Sequence, residues 1–183
     1  MSRISIPTTI DAAPEPSRQT LEAVKKQLGV VPNLFRMVAN SPAALEGYVG
    51  MLGALSRGVL PAATHERIAL AVAEFNGCDY CLSAHSYLGR HVAKLDESEM
   101  AANRSGASND AKADAAVRFA RKVLEHRGHV ADEDVRAVRA VGYSEAQIVE
   151  IVQHVALNVW TNYVNSVAQT AIDFPVVSAR RVA

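Results

Sequence analysis

The sequence predicts an all-α fold, a helical bundle in a single domain with about seven to nine helices. Apolar residues recur at helical spacing in segment after segment, as in Leu45, Tyr48, Val49 and Leu52, the pattern of a helix with one buried face. Strand signals are missing apart from a doubtful Val176-Val177 near the end. Composition agrees: 49% of the 183 residues are hydrophobic and only 5% aromatic, which suits alanine- and valine-rich helices packing closely. A chain of this length buries a substantial core without staples.

Residues 1–16, with three prolines after Ser5, read as an extended arm that could pack on a neighbour. Ser17 is a candidate cap for a helix to Gln27, with Gly29 as its stop. Pro32 opens a short helix through Ala39, and Ser41-Pro42 supplies a cap followed by proline at the first helical position. Gly58 and Pro61 separate that helix from the next, where Ile68, Leu70, Ala71 and Val72 form an apolar run ended by Asn76-Gly77. A helix from Cys78 to about Lys94 should turn Leu82, Tyr87 and Leu88 to the core. Glu97 to Ala102 forms a short helix before the turn Arg104-Ser105-Gly106. Ser108 is the expected cap of a helix from Asn109 to Glu125 with Ala116, Phe119, Ala120 and Val123 inward, and Asp132 to Val141 forms another, ended by Gly142.

Ser144-Glu145-Ala146-Gln147 is a capping box opening the longest helix, to about Ile172. Ile148, Ile151, Val152, Val155, Leu157, Val159, Trp160, Val164 and Val167 make it apolar almost all round, the pattern of a buried helix. His154, Asn158, Asn162, Asn165 and Gln169 nevertheless draw one uncharged polar stripe along it. Buried amides without partners cost on the order of 1–3 kcal/mol each, so the stripe must meet polar groups, water or another subunit. A satisfied buried network is the plainer reading; the sharper one has His154 and Asn158 lining a substrate cavity. The helical domain thus spans 17–172, with its core motif at 41–94 and a tail at 173–183.

Both cysteines of the chain lie in one stretch: Glu66, eleven residues, then Cys78-x-x-Cys81-x-x-x-His85. In a helix restarting after Gly77, Cys78, Cys81 and His85 fall at i, i+3 and i+7 and share a face. Cysteines three apart inside a helix have Cβ atoms roughly 5–6 Å apart, whereas a disulfide wants about 3.8 Å. Cys78 is therefore expected at the helix cap, where its backbone can close the gap. Cys81, in the first turn near the positive end of the helix dipole and one turn from His85, is favoured as a thiolate. Competing readings are a structural zinc site, which lacks a fourth ligand, and two inert core cysteines. Haem attachment is excluded because Leu82, not histidine, follows the second cysteine. His65, His91, His126 and His129 lie off the cysteine face or in a polar turn and read as structural or solvated.

This four-residue pattern resembles the carboxymuconolactone decarboxylase family, in its AhpD-like alkylhydroperoxidase branch, most strongly from Ser41 to Lys94; Val31 to Phe35 and Asn158 to Asn165 are similar to its peroxidase-related members. The resemblance implies an AhpD-like helical bundle and a thiol-dependent hydroperoxide reductase with no cofactor or metal. In it Cys81 is the peroxidatic thiol, Cys78 the resolving thiol, and Glu66 and His85 a proton relay. Tyr80 stands where the best-studied branch has a further relay histidine, and is a candidate substrate contact. The resemblance also implies a hydroperoxide substrate, an external dithiol or a thioredoxin- or lipoyl-type reductant, and a homo-oligomer, trimer or hexamer. Two alternatives stay open: a lactone decarboxylase using a proton shuttle in place of thiols, and a non-enzymatic thiol sensor or metal-binding module.

Formal net charge is zero, which argues against nucleic acid and anionic membrane as partners. No apolar stretch approaches the roughly 20 residues of a membrane span, and the first sixteen residues lack a signal-peptide pattern. The expected location is cytoplasmic, where a lone Cys-x-x-Cys is more often catalytic than structural.

Overall fold

Helix α4 (Ala62–Asn76) is the element around which the others assemble. The computed structural model describes residues 2–180; Met1 of the arm and residues 181–183 of the tail lie outside them. Nine helices occur among the described residues. Ahead of α4 come α1 (Glu15–Leu28), α2 (Asn33–Val38) and α3 (Pro42–Leu55). After it come α5 (Asp79–His91), α6 (Glu97–Arg104), α7 (Ala111–Glu125), α8 (Asp132–Ala140) and α9 (Glu145–Ala168). No strand occurs among the described residues, and Val176-Val177 is extended chain.

Ala69 to Ala73 are buried on every side of α4, because α5, α6, α7 and α9 all pack against it. One face gives Leu70 and Ala73 to a core with Leu21, Phe35, Leu45 and Leu82; another gives Ile68 and Val72 to a second core with Phe119, Val138, Ile151 and Val155. The low aromatic content permits this: small side chains let four helices approach one.

Several sequence expectations need correction at helix ends. Ser17 is buried inside α1 and donates to the Ala39 carbonyl at 2.7 Å rather than capping. Helix α7 is capped by Asp110, whose carboxylate accepts from the Ala113 amide at 2.8 Å; Ser108 lies too early to reach that amide and donates to Glu99 instead. Helix α5 stops at His91 and α9 at Ala168, where Gln169 takes a left-handed conformation, φ 50°, and returns its amide to Asn165. The apolar residues beyond α9 disguised that stop.

Burial departs from periodicity at α9, α5 and α3. Val152, Trp160 and Val167 are exposed, as are Tyr87 and Leu52, because neighbouring helices cover only one side of each. The N-terminal arm packs on its own chain: Ile4, Ile6 and Ile10 lie against the first core, and the Arg3 amide donates to Ala168.

Candidate active site

Gly77 determines where the cysteines go. It closes α4 in the left-handed conformation, φ 67°, with the Gly77 amide on Glu74 and the Cys78 amide on Ala73. This is the Schellman geometry; a side chain at Gly77 would be strained there. The chain leaves α4 reversed, so Cys78 becomes the N-cap of α5 and its sulfur accepts from the Cys81 amide at 3.4 Å. That was the expected place for Cys78. Its Sγ lies 2.9 Å from Sγ of Cys81, both cysteines being free and buried.

The reversal also folds α5 back along α4, which brings His85 onto Glu66: Nδ1 lies 2.8 Å from Oε2. The side chains keep 22% and 19% exposure, so this pair reaches solvent although the sulfurs do not. Burial of His85 opposes its cation, but the adjacent Glu66 carboxylate outweighs that and raises the imidazole pKa, with Cys81 adding to the rise. Cys81 moves the opposite way, to about 6: a hydrogen bond from the Cys78 thiol is the main cause, burial resists, and His85, Asn165 and Asn162 add stabilisation. The Cys78 thiol is pushed far up by the same hydrogen bond and by burial. The cluster thus favours a Cys81 thiolate near a His85 whose protonated form Glu66 stabilises, with Cys78 as a protonated donor. A soft nucleophile, a proton donor and a second thiol stand together, all that two-electron thiol chemistry needs.

The polar stripe of α9 divides. Asn165 Nδ2 donates to Cys81 Sγ at 3.4 Å, and Asn162 accepts from Asn76 at 2.9 Å. Both border the thiolate, and neither was singled out as a site residue. Asn158, expected to line the cavity, donates to the His154 carbonyl within its own helix at 2.8 Å. His154 stacks on His65 with ring centroids 4.0 Å apart and is held neutral, its pKa lowered to about 3 by burial and by His65 and His85. Gln169 is exposed and serves as the helix cap.

Tyr80 is buried, and its hydroxyl is committed twice: it accepts from the Leu34 amide at 3.0 Å and donates to Asp173 at 2.9 Å. It therefore ties α5 to α2 and the tail. Tyr48 is a further neighbour the sequence concealed. Its hydroxyl pKa is raised chiefly by burial, then by the nearby Cys81 and Glu66 charges, yet in the sequence it reads as one more member of an apolar stripe. Among the described residues no group of three or more His, Cys, Asp or Glu side chains is arranged to hold a metal ion.

Residues 42–126 match the model of the carboxymuconolactone decarboxylase family, the family that the cysteine motif resembles. No curated protein matches. Among solved structures, a peroxidase-related protein of Ralstonia eutropha JMP134 with an alkylhydroperoxidase AhpD core is 24% identical; the match covers 94% of this chain and 92% of that one, with a TM-score of 0.83. A peroxidase-related protein of Silicibacter sp. TM1040 is also 24% identical, covering 93% and 91%, TM-score 0.80. The debrominase Bmp8, in complex with 2,3,4-tribromopyrrole, is 20% identical, covering 92% and 90%, TM-score 0.73. These similarities establish the all-α AhpD-like fold.

Proposed function

We propose that this chain is a thiol-dependent hydroperoxide reductase in which Cys81 attacks and Cys78 resolves. The observation that carries the reading is the Cys81 sulfur placed 2.9 Å from Cys78 Sγ and stabilised as a thiolate near a His85–Glu66 pair. The thiolate attacks the terminal oxygen of the hydroperoxide, the O–O bond breaks, and the alkoxide takes the proton held on His85 to leave as alcohol. Cys81 is now a sulfenic acid. The Cys78 sulfur displaces its hydroxyl, which leaves as water with the Cys78 proton, and the Cys78–Cys81 disulfide forms. An external dithiol, of thioredoxin or lipoyl type, returns the two electrons.

Intact-protein mass spectrometry before and after one equivalent of an organic hydroperoxide tests this: the expected product has lost two hydrogens. Cys81→Ser should remain unoxidised, and Cys78→Ser should stop at one added oxygen. Equal turnover by wild type and Cys81→Ser rejects the assignment. A second reading is favoured by the family match itself: the Glu66–His85 pair alone could shuttle a proton in a lactone decarboxylation, and activity surviving alkylation of both cysteines would select it. The exposed apolar side of α9, with Val149, Val152, Trp160, Tyr163 and Val167, supports a homo-oligomer, which sedimentation of the full chain would detect.

A further inference from the structure

We propose that Asn162 and Asn165 seat the head of the hydroperoxide: Asn162 Nδ2 donates to the terminal oxygen that Cys81 attacks, and Asn165 Oδ1 accepts that oxygen's hydrogen. This rests on the reading of Cys81 as the attacking thiol, and it adds two residues that touch the reacting atoms.

Both amides are more than nine-tenths buried, Asn162 at 0% and Asn165 at 3% exposure, and each is half used. Asn162 Oδ1 accepts from Asn76 Nδ2 at 2.9 Å, while its Nδ2 has no hydrogen-bond partner among the described residues. Asn165 is the reverse: its Nδ2 donates to Cys81 Sγ at 3.4 Å, and Oδ1 is the atom without a partner. Buried polar atoms left unpaired are costly. The neighbours fix which atom is left over. A thiolate attracts an amide N–H and repels a carbonyl, so Asn165 turns Nδ2 to the sulfur, and Asn76 holds the Asn162 carbonyl. Asn162 itself favours the Cys81 anion, which puts its free N–H on the side of the sulfur.

One free donor and one free acceptor thus stand beside one nucleophile. Asn162 and Asn165 are three apart on α9, with Cβ atoms roughly 5–6 Å apart. A single oxygen that makes one hydrogen bond of about 2.8 Å to each amide spans that gap. The terminal oxygen of a hydroperoxide is such an atom, with lone pairs for Asn162 and a hydrogen for Asn165. A dialkyl peroxide has no hydrogen to give there. The second oxygen, with its organic group, is left to the partly exposed His85–Glu66 pair, where its proton is held.

The chemistry uses the same contacts. As the S–O bond forms and the O–O bond breaks, the electron pair leaves on the alkoxide oxygen, which takes the His85 proton. The sulfur is oxidised and the peroxide reduced; the hydroxyl stays on Cys81, its hydrogen still on Asn165 Oδ1. Negative charge passes from sulfur through the transferred oxygen during attack, and a donor fixed beforehand where charge develops lowers the barrier.

The test compares rates of Cys81 modification at about pH 8, roughly two units above its midpoint of about 6, so that wild type and variants all carry the thiolate. Asn162→Leu should slow oxidation by hydrogen peroxide and by tert-butyl hydroperoxide by the same factor, about tenfold or more, because the amides read the head and not the tail. Methylation by methyl iodide, which needs the thiolate but brings no hydroxyl, should change by less than about twofold. Asn76→Ala, at a half-buried position ending α4, leaves Asn162 in place without its orienting bond. It should show the same pattern at about threefold, and it carries the test where Asn162→Leu does not fold. Equal slowing of oxidation and methylation, unslowed oxidation, or a loss confined to one hydroperoxide overturns the proposal. Wild-type Cys81 that is methylated but oxidised by neither hydroperoxide sinks the peroxidase reading and the seat with it; wild type oxidised no faster than the variants sinks the seat alone.

Discussion

Replacing His85 by glutamine should raise the Cys81 pKa and leave the fold intact. Cys81 starts at about 6. An opposite charge within about 4–6 Å shifts a thiol by about 1–3 units, and here the Cys78 hydrogen bond is the larger stabiliser, so the lower half of that range applies. A shift of about 1.5 units is about 2 kcal/mol between the two protonation states. At pH 6 the thiolate fraction then falls from about one half to about 3%, and alkylation of Cys81 by a small reagent slows by the same factor, about sixteenfold. Glu66→Gln should do nearly as much by another route. Without the carboxylate, burial prevails over the imidazolium and His85 becomes neutral. The double variant should therefore shift no further than either single one, the non-additivity of residues acting as a unit. Thiolate ultraviolet absorbance against pH reads the midpoint directly, because Cys78 is pushed far above the range. A wild-type midpoint near the ordinary 8.5, or one unmoved by His85→Gln, refutes the ion pair.

Oxidation of the reduced pair should accelerate as pH rises through about 6, where Cys81 ionises, and decline above the raised pKa of His85, which by then has lost the proton the alkoxide needs; a rate flat from pH 5 to 7 contradicts this. Glu99 is buried and accepts from Arg67, Asn103, Ser108 and the Asn109 amide. Burial resists its ionisation, but those bonds hold its pKa down to about 2. With the folded pKa below the unfolded one, its stabilisation, at most about 3 kcal/mol, is present above roughly pH 4.3 and lost as pH falls toward 2; the acid-unfolding midpoint of Glu99→Gln checks it. Tyr80→Phe removes the partner of the Leu34 amide and of Asp173 and should cost about 1–3 kcal/mol in thermal or denaturant melts without moving the Cys81 midpoint. A moved midpoint would place Tyr80 in the relay. Asp173→Ala should speed hydrogen exchange at the Val177 and Ala179 amides, which bond Ser83 and Asp79, because Asp173 ties the tail to Asn33 and Tyr80; unchanged exchange denies it that role.

The helices were legible because their signals are local. Gly29 and Gly77 stop α1 and α4 in left-handed conformations, and Ser144 with Gln147 opens α9 as a reciprocal cap. Where the signals failed, two local candidates competed. Ser108 and Asp110 both suit a cap, and only the distance to the Ala113 amide decides between them. Exposure was less legible than helicity. A period of 3.6 says that α3 and α9 are helices with apolar faces, but not how many faces the neighbours cover, so Leu52, Trp160 and Val167 lie open.

The same distinction explains the site. Cys78, Cys81 and His85 were readable together because one helix sets their spacing, and Glu66 could join them because a glycine-terminated helix followed directly by another folds back along itself. Asn162 and Asn165 reach the thiolate, and Tyr48 comes near enough to feel its charge, across helix crossings, and no spacing within α9 or α3 records which helix lies opposite. The polarity of the α9 stripe did show that something polar must face it, since buried amides need partners. It could not show that the partner is in part a sulfur anion: a thiolate buried at 2% exposure needs donors, and the Asn165 amide joins the Cys78 thiol in making its ionisation tolerable in a dry setting. The stripe and the cysteine motif are therefore one feature read twice, and losing the Asn165 amide should weaken the thiolate as surely as losing the imidazolium.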